Sequence, residues 1–429
     1  MARVVVVGGG VAGVAAALSA SRLGAKVTLI ESSGRVGLSK ASLPLLVSQG
    51  LSEDDLILHD STLLTAAGVE VRRNETVTSA RSESVEVSSG APSGTKTVQF
   101  DSLVVCTGAA AVTPNLRGLS KQGVFFLRGP SDYVELSRAL DRLSRVAVLG
   151  PVPLALKLGE AVADRGKHVS VFCGKEGLER QFSGPVAKLV RRESQNHAAG
   201  SVTLVDDSFD AILGYERAEA VSSGGVVRTF DGVVVVPGAS PSPPKLECER
   251  GPNGGLLVDT RMSTSLKGVF AAGDSAEIKF KSGSVQARLY STSRLGGEVA
   301  GTNAAGGSAR ASPSWVMEQT YFGLEFCSAG LTAGEATAMG LDASAREGEF
   351  GERERETLVT MVYDQGTHEV YGLQVAGEGA SSLSSAASMV VSLGLRLDEL
   401  VLMEWPYSPG RGASPICLTA AEILAAEGA

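Results

Sequence analysis

The first 31 residues contain two continuous hydrophobic runs and a glycine-rich break, and this pattern predicts a strand, a turn, a helix and a second strand. The run 3–7 leads directly into Gly8-x-Gly10-x-x-Gly13 and a stretch of small apolar residues. The second strand, 26–30, ends in Glu31, an acid roughly 20 residues beyond the turn. In a strand–turn–helix unit of this kind, the glycines allow the tight turn, the close approach of a pyrophosphate and the close packing of the helix on the strand. The pattern therefore predicts a dinucleotide-binding site.

Hydrophobic runs further along the chain repeat this alternation. The predicted elements are a β-rich stretch at 69–100, strands at 103–106, 145–149, 168–172, 232–236, 268–272, 358–363 and 369–375, and a helix at 154–163. The helix lies between two of these strands, so 145–172 is predicted to be a second βαβ unit. A Ser-, Gly- and Ala-rich stretch at 304–314 predicts a linker, and the elements after it predict an α+β domain.

Composition narrows the class of protein. The 429 residues, 43% of them hydrophobic, suffice for roughly two to four packed domains. A net charge of −8 argues against a nucleic-acid partner. No apolar run approaches the roughly 20 residues of a membrane span, and the N-terminal residues lack a signal-peptide pattern. We therefore expect a cytoplasmic protein.

The cysteines and histidines are too dispersed to predict a metal site, a disulfide framework or a Ser-His-Asp triad. The five cysteines have no Cys-x-x-Cys spacing, and they are Cys106, Cys173, Cys248, Cys327 and Cys417. No metal ligand is predicted.

Together these motifs resemble the pyridine nucleotide-disulfide oxidoreductase superfamily of flavoproteins, and the resemblance runs nearly end to end. Cys106-Thr107-Gly108 is similar to its central Ala-Thr-Gly strand, and Gly273-Asp274 to its late Gly-Asp motif. The resemblance implies an α/β fold with two Rossmann-like, three-layer domains and an α+β C-terminal dimerisation domain. The implied domains are an FAD-binding domain at 1–112 and 243–310, an NAD(P)-binding-like domain at 113–242, and a dimerisation domain at 315–429.

The resemblance also assigns the residues that hold the cofactor, which is FAD. The implied cofactor-binding residues are Gly8, Gly10, Gly13, Glu31, Val77, Thr107, Gly108, Gly273 and Asp274. In the family, the position of Asp274 contacts the ribityl chain of FAD, and an acid at the position of Glu31 binds the ribose hydroxyls.

The C-terminal third resembles the branch of coenzyme A-disulfide reductases and NADH oxidases. The similar segments are 290–297, 303–307, 321–332 and 405–409. Because the C-terminal domain of such homodimers reaches the active site of the partner subunit, Tyr407 is a catalytic candidate. The alternative is that Tyr407 is a packed interface tyrosine.

The chain departs from that branch at the redox cysteine. Aligning Leu43-Pro44 with the Cys-x-Leu-Pro motif of the relatives puts Ala41 in the cysteine position. Alanine has no thiolate for disulfide or peroxide chemistry, although another cysteine remains an alternative. The segment 38–40, Leu-Ser-Lys, is similar to the cysteine-free ferredoxin and rubredoxin reductases. That similarity makes Lys40 a catalytic candidate beside the flavin, with an exposed helix-start lysine as the alternative.

The second nucleotide turn departs as well. Gly150-Pro151-Val152-Pro153 keeps one glycine, adds a side chain at Val152 and lacks two N–H donors because of its prolines. Lys157 places a positive charge where the family has an acid. Glu160, about one helical turn later, is positioned to compensate for that charge. NAD(P)H binding is therefore predicted to be weakened, lost or remodelled.

Two functions remain open at this stage. The first is an FAD-dependent oxidoreductase that passes electrons from NAD(P)H or another donor to oxygen, a quinone, a small disulfide or a redox protein, without an active-site cysteine. The second is a redox-silent or sensory FAD-binding dimer that has lost nicotinamide binding. The sequence identifies neither the donor nor the acceptor.

Overall fold

The computed structural model describes residues 1–57, 61–81, 83–89, 94–174, 177–207, 209–351, 356–407 and 412–428. Its strands are β1 (Arg3–Val7), β2 (Lys26–Glu31), β3 (Glu70–Arg73), β4 (Thr76–Ala80), β5 (Ser84–Ser88), β6 (Thr95–Gln99), β7 (Ser102–Val105), β8 (Ala109–Val112), β9 (Val124–Phe126), β10 (Arg145–Leu149), β11 (His168–Phe172), β12 (Val202–Val205), β13 (Phe209–Leu213), β14 (Ala220–Ser223), β15 (Val226–Thr229), β16 (Gly232–Val235), β17 (Gly238–Pro241), β18 (Leu256–Val258), β19 (Val269–Ala271), β20 (Ala276–Phe280), β21 (Gly283–Val285), β22 (Met317–Tyr321), β23 (Leu324–Gly330), β24 (Ala343–Phe350), β25 (Thr357–Asp364) and β26 (Val370–Gly377).

The helices connect these strands in both halves of the chain. They are α1 (Val11–Arg22), α2 (Leu45–Ser48), α3 (Ser61–Ala66), α4 (Pro130–Ala139), α5 (Val152–Ala163), α6 (Gly177–Gln181), α7 (Gly184–Gln195), α8 (Tyr290–Ala304), α9 (Ala333–Ala338), α10 (Ser384–Ser392), α11 (Leu397–Leu402) and α12 (Pro415–Glu427). Contacts divide the chain into two compact units, of which the first contains Met1–Leu43, Ser52–Val112 and Ala239–Pro313, and the second Pro44–Leu51, Thr113–Gly238 and Ser314–Ala429.

The first unit is built on a parallel sheet with strand order β19-β7-β1-β2-β3. Residues 4–7 of its central strand β1 are all buried, which explains why the sequence shows a continuous apolar run rather than an alternating one. Three smaller sheets accompany it, with the orders β4-β5-β6, β18-β20-β21 and β17-β8.

Helices α1 and α8 of the first unit pack against each other at very short range. A Cβ at Gly297 of α8 would overlap the carbonyl oxygen of Ala12, and one at Gly301 would overlap that of Ala16. Two glycines one turn apart therefore let the backbone of α8 lie directly on α1. This packing fixes the helix that begins at the nucleotide turn.

The second unit contains a parallel sheet and an antiparallel one. The parallel sheet has the order β12-β11-β10-β16-β9, and the small antiparallel sheet β13-β14-β15 accompanies it. The C-terminal sheet, β22-β23-β26-β25-β24, is antiparallel throughout. Buried Phe182, Tyr321 and Phe326 form an aromatic cluster that joins the end of α6 to the hairpin β22–β23.

This architecture agrees with the predicted α/β class and its α+β C-terminal part. The predicted linker 304–314 ends where the contacts divide the chain, between Pro313 and Ser314. It is packed, because the Asn303 amide binds the N–H and the carbonyl of Ala309 and because Ala311 is buried. Among the described helices, none combines the length and apolarity that crossing a bilayer requires.

Candidate functional site

A cleft of about 470 Å³ opens in the first unit beyond the carboxyl ends of strands β1, β2 and β7. In parallel α/β sheets, this edge is where ligands bind. The volume falls within the range of small-molecule sites. Of the predicted cofactor-binding residues, those that line the cleft are Gly8, Gly10, Glu31, Val77, Thr107, Gly108, Gly273 and Asp274.

Each of the three motif glycines in the turn 8–13 has a different structural role. Gly8 has a φ of +102°, and a Cβ there would overlap the carbonyl oxygen of Cys106. A Cβ at Gly13 would overlap the carbonyl oxygen of Gly8, so this glycine serves helix packing rather than the cleft surface. Gly10 is the N-cap of α1 and has open space at its Cβ position, so its backbone is accessible from the cleft. The turn thus offers the helix N-terminus to an anionic group.

Glu31 lies at the end of β2, with its carboxylate turned back onto the glycine turn. Its Oε2 accepts a hydrogen bond of 2.6 Å from the Gly9 N–H, and its Oε1 accepts one of 2.7 Å from the Ser33 N–H. These bonds fix the carboxylate in the wall of the cleft, which Val77 also lines. The position suits the recognition of ribose hydroxyls.

Thr107 supplies a buried polar atom in the wall of the cleft. Its Oγ1 is buried and has no hydrogen-bond partner among the described residues. Gly108, with a φ of +69° and no atom near its Cβ position, continues this wall. A buried hydroxyl without a partner is costly, so the atom fits a site that a polar ligand completes.

Three charged groups of the cleft wall lie near one another. Asp274 lies in the short turn Gly273–Ser275, and burial raises the pKa of its carboxyl while Lys40 and Arg288 oppose part of that rise. Lys40 is exposed and begins the short helical turn Lys40–Ser42. Ala41 beside it also lines the cleft. The end near Lys40 therefore combines two cations, one acid and a methyl group.

Sequence reasoning missed Arg288 and Tyr290, which line the cleft beside Asp274. Arg288 has a φ of +47°, a left-handed conformation that is uncommon outside glycine, and Tyr290 begins α8. The charge of Arg288 is visible in the sequence, but its place in the cleft depends on a fold over nearly 290 residues.

Tyr407 is not one of the residues that line this cleft. It belongs to the second unit, and its side chain is 73% exposed. Ser408 and Pro409, which complete the motif that predicted it, lie outside the described residues. Within the described part of the chain, no group of three His, Cys, Asp or Glu side chains is placed to hold a metal ion.

The cleft residues fit FAD. The open backbone at Gly10 suits a pyrophosphate, Glu31 suits the adenosine ribose, and the partnerless Thr107 hydroxyl suits a polar group of the cofactor. The positive charge of Lys40 suits a flavin that becomes anionic when reduced.

The second nucleotide turn, in the second unit, is retained as a structural turn. Gly150 has a φ of +143°, and a Cβ there would overlap the carbonyl oxygen of Val236. Pro151 is the N-cap of α5, which begins at Val152, two residues earlier than predicted. Pro153 in the first turn has no N–H, so this helix N-terminus offers fewer donors to a phosphate than α1 does.

Lys157 and Glu160 of α5 hold the hairpin β22–β23. Lys157 Nζ donates to Glu160 Oε2 at 2.6 Å and to the carbonyl of Thr320 at 2.8 Å. Glu160 Oε1 accepts a bond of 2.8 Å from the N–H of Phe322, a turn residue with a φ of +55°. We call this group the α5 clasp. Glu160 thus compensates for the charge of Lys157, as the sequence suggested.

Comparisons with known proteins agree with this geometry. Residues 2–293 match the family model described as pyridine nucleotide-disulphide oxidoreductase, and residues 316–411 match the dimerisation domain of that family. The chain is 26% identical over 427 residues to an NAD(P)H sulfur oxidoreductase (CoA-dependent) of Pyrococcus furiosus, covering 95% of each chain. It is 25% identical over 445 residues to an NADH oxidase of Methanocaldococcus jannaschii, covering 98% of each.

A solved structure shows the same fold. The water-forming NADH oxidase from Lactobacillus brevis superposes with a TM-score of 0.88 at 18% identity, covering 100% of this chain and 99% of that one. The comparisons confirm the predicted fold class and the prediction of an FAD-dependent oxidoreductase, and they do not favour the redox-silent alternative. The chain belongs to the pyridine nucleotide-disulphide oxidoreductase family.

Proposed function

We propose that this protein is an NAD(P)H-dependent FAD oxidoreductase whose flavin passes electrons directly to the acceptor, without a redox cysteine. The observation that carries the proposal is the pair Lys40 and Ala41 in the wall of the cleft. The resemblance gives the position of Ala41 to the redox thiol. A methyl group there can form neither a mixed disulfide nor a sulfenic acid.

Three of the five cysteines are too deeply buried to replace that thiol. All five are free, and Cys106 is the one that lines the cleft. Burial raises the pKa of Cys106 to about 12, and burial likewise raises the pKa values of Cys173 and Cys327 to about 12. Since the thiolate is the reactive form, these side chains stay protonated and unreactive near neutral pH.

Cys106→Ala is therefore expected to retain wild-type turnover with NAD(P)H and a quinone acceptor. Its flavin content also stays unchanged, because an alanine occupies this place in the family motif that the segment resembles. Steady-state kinetics and the flavin absorbance measure both. A loss of turnover with full flavin content would identify Cys106 as the missing redox thiol and contradict the proposal.

Different residues of the first unit bind different parts of the cofactor. FAD, when bound, accepts a hydride and releases electrons singly or in pairs. The glycine turn and the N-terminus of α1 bind its pyrophosphate, and Glu31 binds its adenosine ribose. Lys40 supplies a fixed positive charge that stabilises the negative charge of the reduced cofactor.

The names of the relatives, which mention NADH or NAD(P)H, support a nicotinamide nucleotide as the electron donor. The turn at 150–153 indicates that this nucleotide binds weakly. Lys157 is engaged by Glu160 and Thr320, so it does not present a free cation to a nucleotide. Cys173 directly follows strand β11, at the place where an acid would select the ribose diol. We therefore expect a high KM for the donor and little discrimination between NADH and NADPH.

Anaerobic stopped-flow tests the donor. The FAD-loaded protein is mixed with NADH or NADPH in separate cells, and the flavin absorbance band is expected to bleach with either. Persistence of the band with both nucleotides, while dithionite still bleaches it, would overturn the proposal.

The same stopped-flow experiment with Lys40→Gln tests whether the positive charge of Lys40 speeds the reduction of the flavin. Bleaching is expected to slow by about tenfold or more, because the charge that Lys40 stabilises develops during the transfer. Lys96→Gln, at an exposed lysine of β6, is the matched control and leaves the rate unchanged.

We also propose that the protein is a cytoplasmic homodimer. Free cysteines are typical of a reducing compartment, and residues 316–411 match a dimerisation domain. Exposed apolar side chains on α10, on α11 and just after them support a second copy as the partner. They include Met389, Leu393, Leu402, Met403 and Tyr407. Tyr407 would then be an interface residue near the partner's flavin. The three-domain division at 1–112 with 243–310, 113–242 and 315–429 belongs to the same proposal.

Leu402→Asp is expected to convert the dimer to a monomer, because its side chain is 86% exposed in the single chain and a charge there opposes burial in an interface. Light scattering coupled to gel filtration measures the mass. Leu23→Asp, at an exposed leucine in the first unit, is the control and should remain dimeric. A wild-type monomer, or a dimeric Leu402→Asp variant, would contradict this assignment.

A further inference from the structure

The cleft end near Lys40 carries an excess of positive charge. Lys40 and Arg288 both line it, and the acid that faces them is Asp274, on which both cations act. One carboxylate balances one of the two cations. Helix α8 begins at Tyr290, so the positive end of its dipole adds to this field.

Arg288 is held in place by a short chain of hydrogen bonds. Its Nη2 donates to Gln286 Oε1 at 2.8 Å, and Gln286 Nε2 donates to the carbonyl of Asp274 at 3.1 Å. The left-handed backbone of Arg288, with a φ of +47°, is a conformation that a non-glycine residue keeps only where its surroundings require it. Arg288 is nevertheless exposed, so its guanidinium keeps donors free for a ligand.

Tyr290 adds an aromatic surface next to this charge. Its side chain lines the cleft and remains 38% exposed. An exposed aromatic ring beside an arginine offers stacking area to a flat ligand and a hydrogen-bonding cation to its acidic substituent.

We infer that Arg288 and Tyr290 form an acceptor subsite, selective for a planar aromatic quinone that carries an anionic group. The inference rests on the proposed function, since an enzyme without a redox thiol must let the acceptor reach the flavin itself. In the overall reaction, NAD(P)H gives a hydride and the solvent gives a proton. Two electrons and two protons reach the quinone, whose two carbonyl oxygens become hydroxyls.

The test compares ortho-naphthoquinone with ortho-naphthoquinone sulfonate, which differ by one negative group. Full-length FAD-loaded protein is reduced with stoichiometric dithionite, and reoxidation by each quinone is followed by stopped flow at low and high salt. Wild type is expected to prefer the sulfonate at low salt, with the preference falling as salt screens the charge. Because dithionite replaces NAD(P)H, failure of the proposed donor does not affect this result.

Arg288→Gln is expected to lower the ratio of the two rates, sulfonate to neutral, by about fivefold to tenfold. The matched control is Arg294→Gln, six residues later in helix α8 but paired with Glu298 at 2.5 Å and outside the cleft lining, and it leaves the ratio unchanged. Equal slowing of both quinones by Arg288→Gln would mean that this residue acts on the flavin alone, and would overturn the inference. So would the absence of a sulfonate preference in wild type.

A binding measurement provides a readout that does not depend on turnover. Naphthalene sulfonate, which the enzyme cannot reduce, is titrated into the oxidised protein and followed by the change in flavin absorbance. Arg288→Gln is expected to raise its Kd about fivefold to tenfold, and Tyr290→Leu to raise the Kd of both naphthalene sulfonate and neutral naphthalene methanol. Unchanged Kd values in both variants would overturn the subsite.

Discussion

Gly13→Ala is expected to remove FAD binding and to lower the free energy of unfolding by about 2–4 kcal/mol. A Cβ at this position would overlap the carbonyl oxygen of Gly8 in the same turn. Because that oxygen belongs to the backbone, helix α1 would have to move away from strand β1. The flavin absorbance of the purified protein and thermal unfolding followed by circular dichroism measure the two effects.

Gly10→Ala separates binding from folding. Gly10 has a φ of −74° and open space at its Cβ position, so alanine is compatible with the backbone. The substitution adds a methyl group to a residue that lines the cleft, at the turn that suits a pyrophosphate. We therefore expect normal thermal unfolding of the apoprotein and FAD binding weakened by about tenfold or more.

A Gly13→Ala protein with full flavin content and wild-type stability would contradict the role given to the turn.

Glu160→Ala is expected to lower the free energy of unfolding of the second unit by about 2–4 kcal/mol. The substitution leaves the N–H of Phe322 without its acceptor and Lys157 without its counter-ion. Both tryptophans of the chain, Trp315 and Trp405, belong to this unit, so their fluorescence during urea unfolding reports on it.

Asp398→Ala is the matched control for the α5 clasp. Asp398 pairs with Arg396 at 3.0 Å, but both side chains are about half exposed, so the loss is expected to stay below about 1 kcal/mol. If Glu160→Ala costs no more than this control, the clasp does not contribute to stability as its geometry indicates.

Local patterns made the nucleotide cleft predictable from sequence. The glycine turn, its two flanking strands and Glu31 all lie within 31 residues, and their spacing follows directly from the geometry of a βαβ unit. Thr107 and Asp274 follow apolar runs whose ends meet at the same edge of a parallel sheet. Their convergence in one cleft therefore needed no knowledge of side-chain contacts.

The α5 clasp and Arg288 could not be predicted in this way. The sequence reveals that Lys157 replaces an acid, but its acceptor, the Thr320 carbonyl, lies 163 residues later. The left-handed φ of Arg288 likewise depends on its surroundings, since arginine does not indicate such a conformation in advance as glycine does. Contacts of this kind are set by tertiary packing, on which hydrophobic periodicity carries no information.

The direct contact of α8 with α1 has a consequence for the order of events during synthesis. Helix α1 ends at Arg22, whereas the glycines that lie on it belong to a helix ending at Ala304. At roughly 5–20 residues per second, the ribosome takes about 15 to 60 s to cover that interval. Throughout this interval, the small-residue face of α1 lacks α8. Residues 113–238, which belong to the second unit, leave the ribosome before α8 does. FAD capture is thus a late step in the maturation of this chain, although the residues that first reveal it are among the earliest translated.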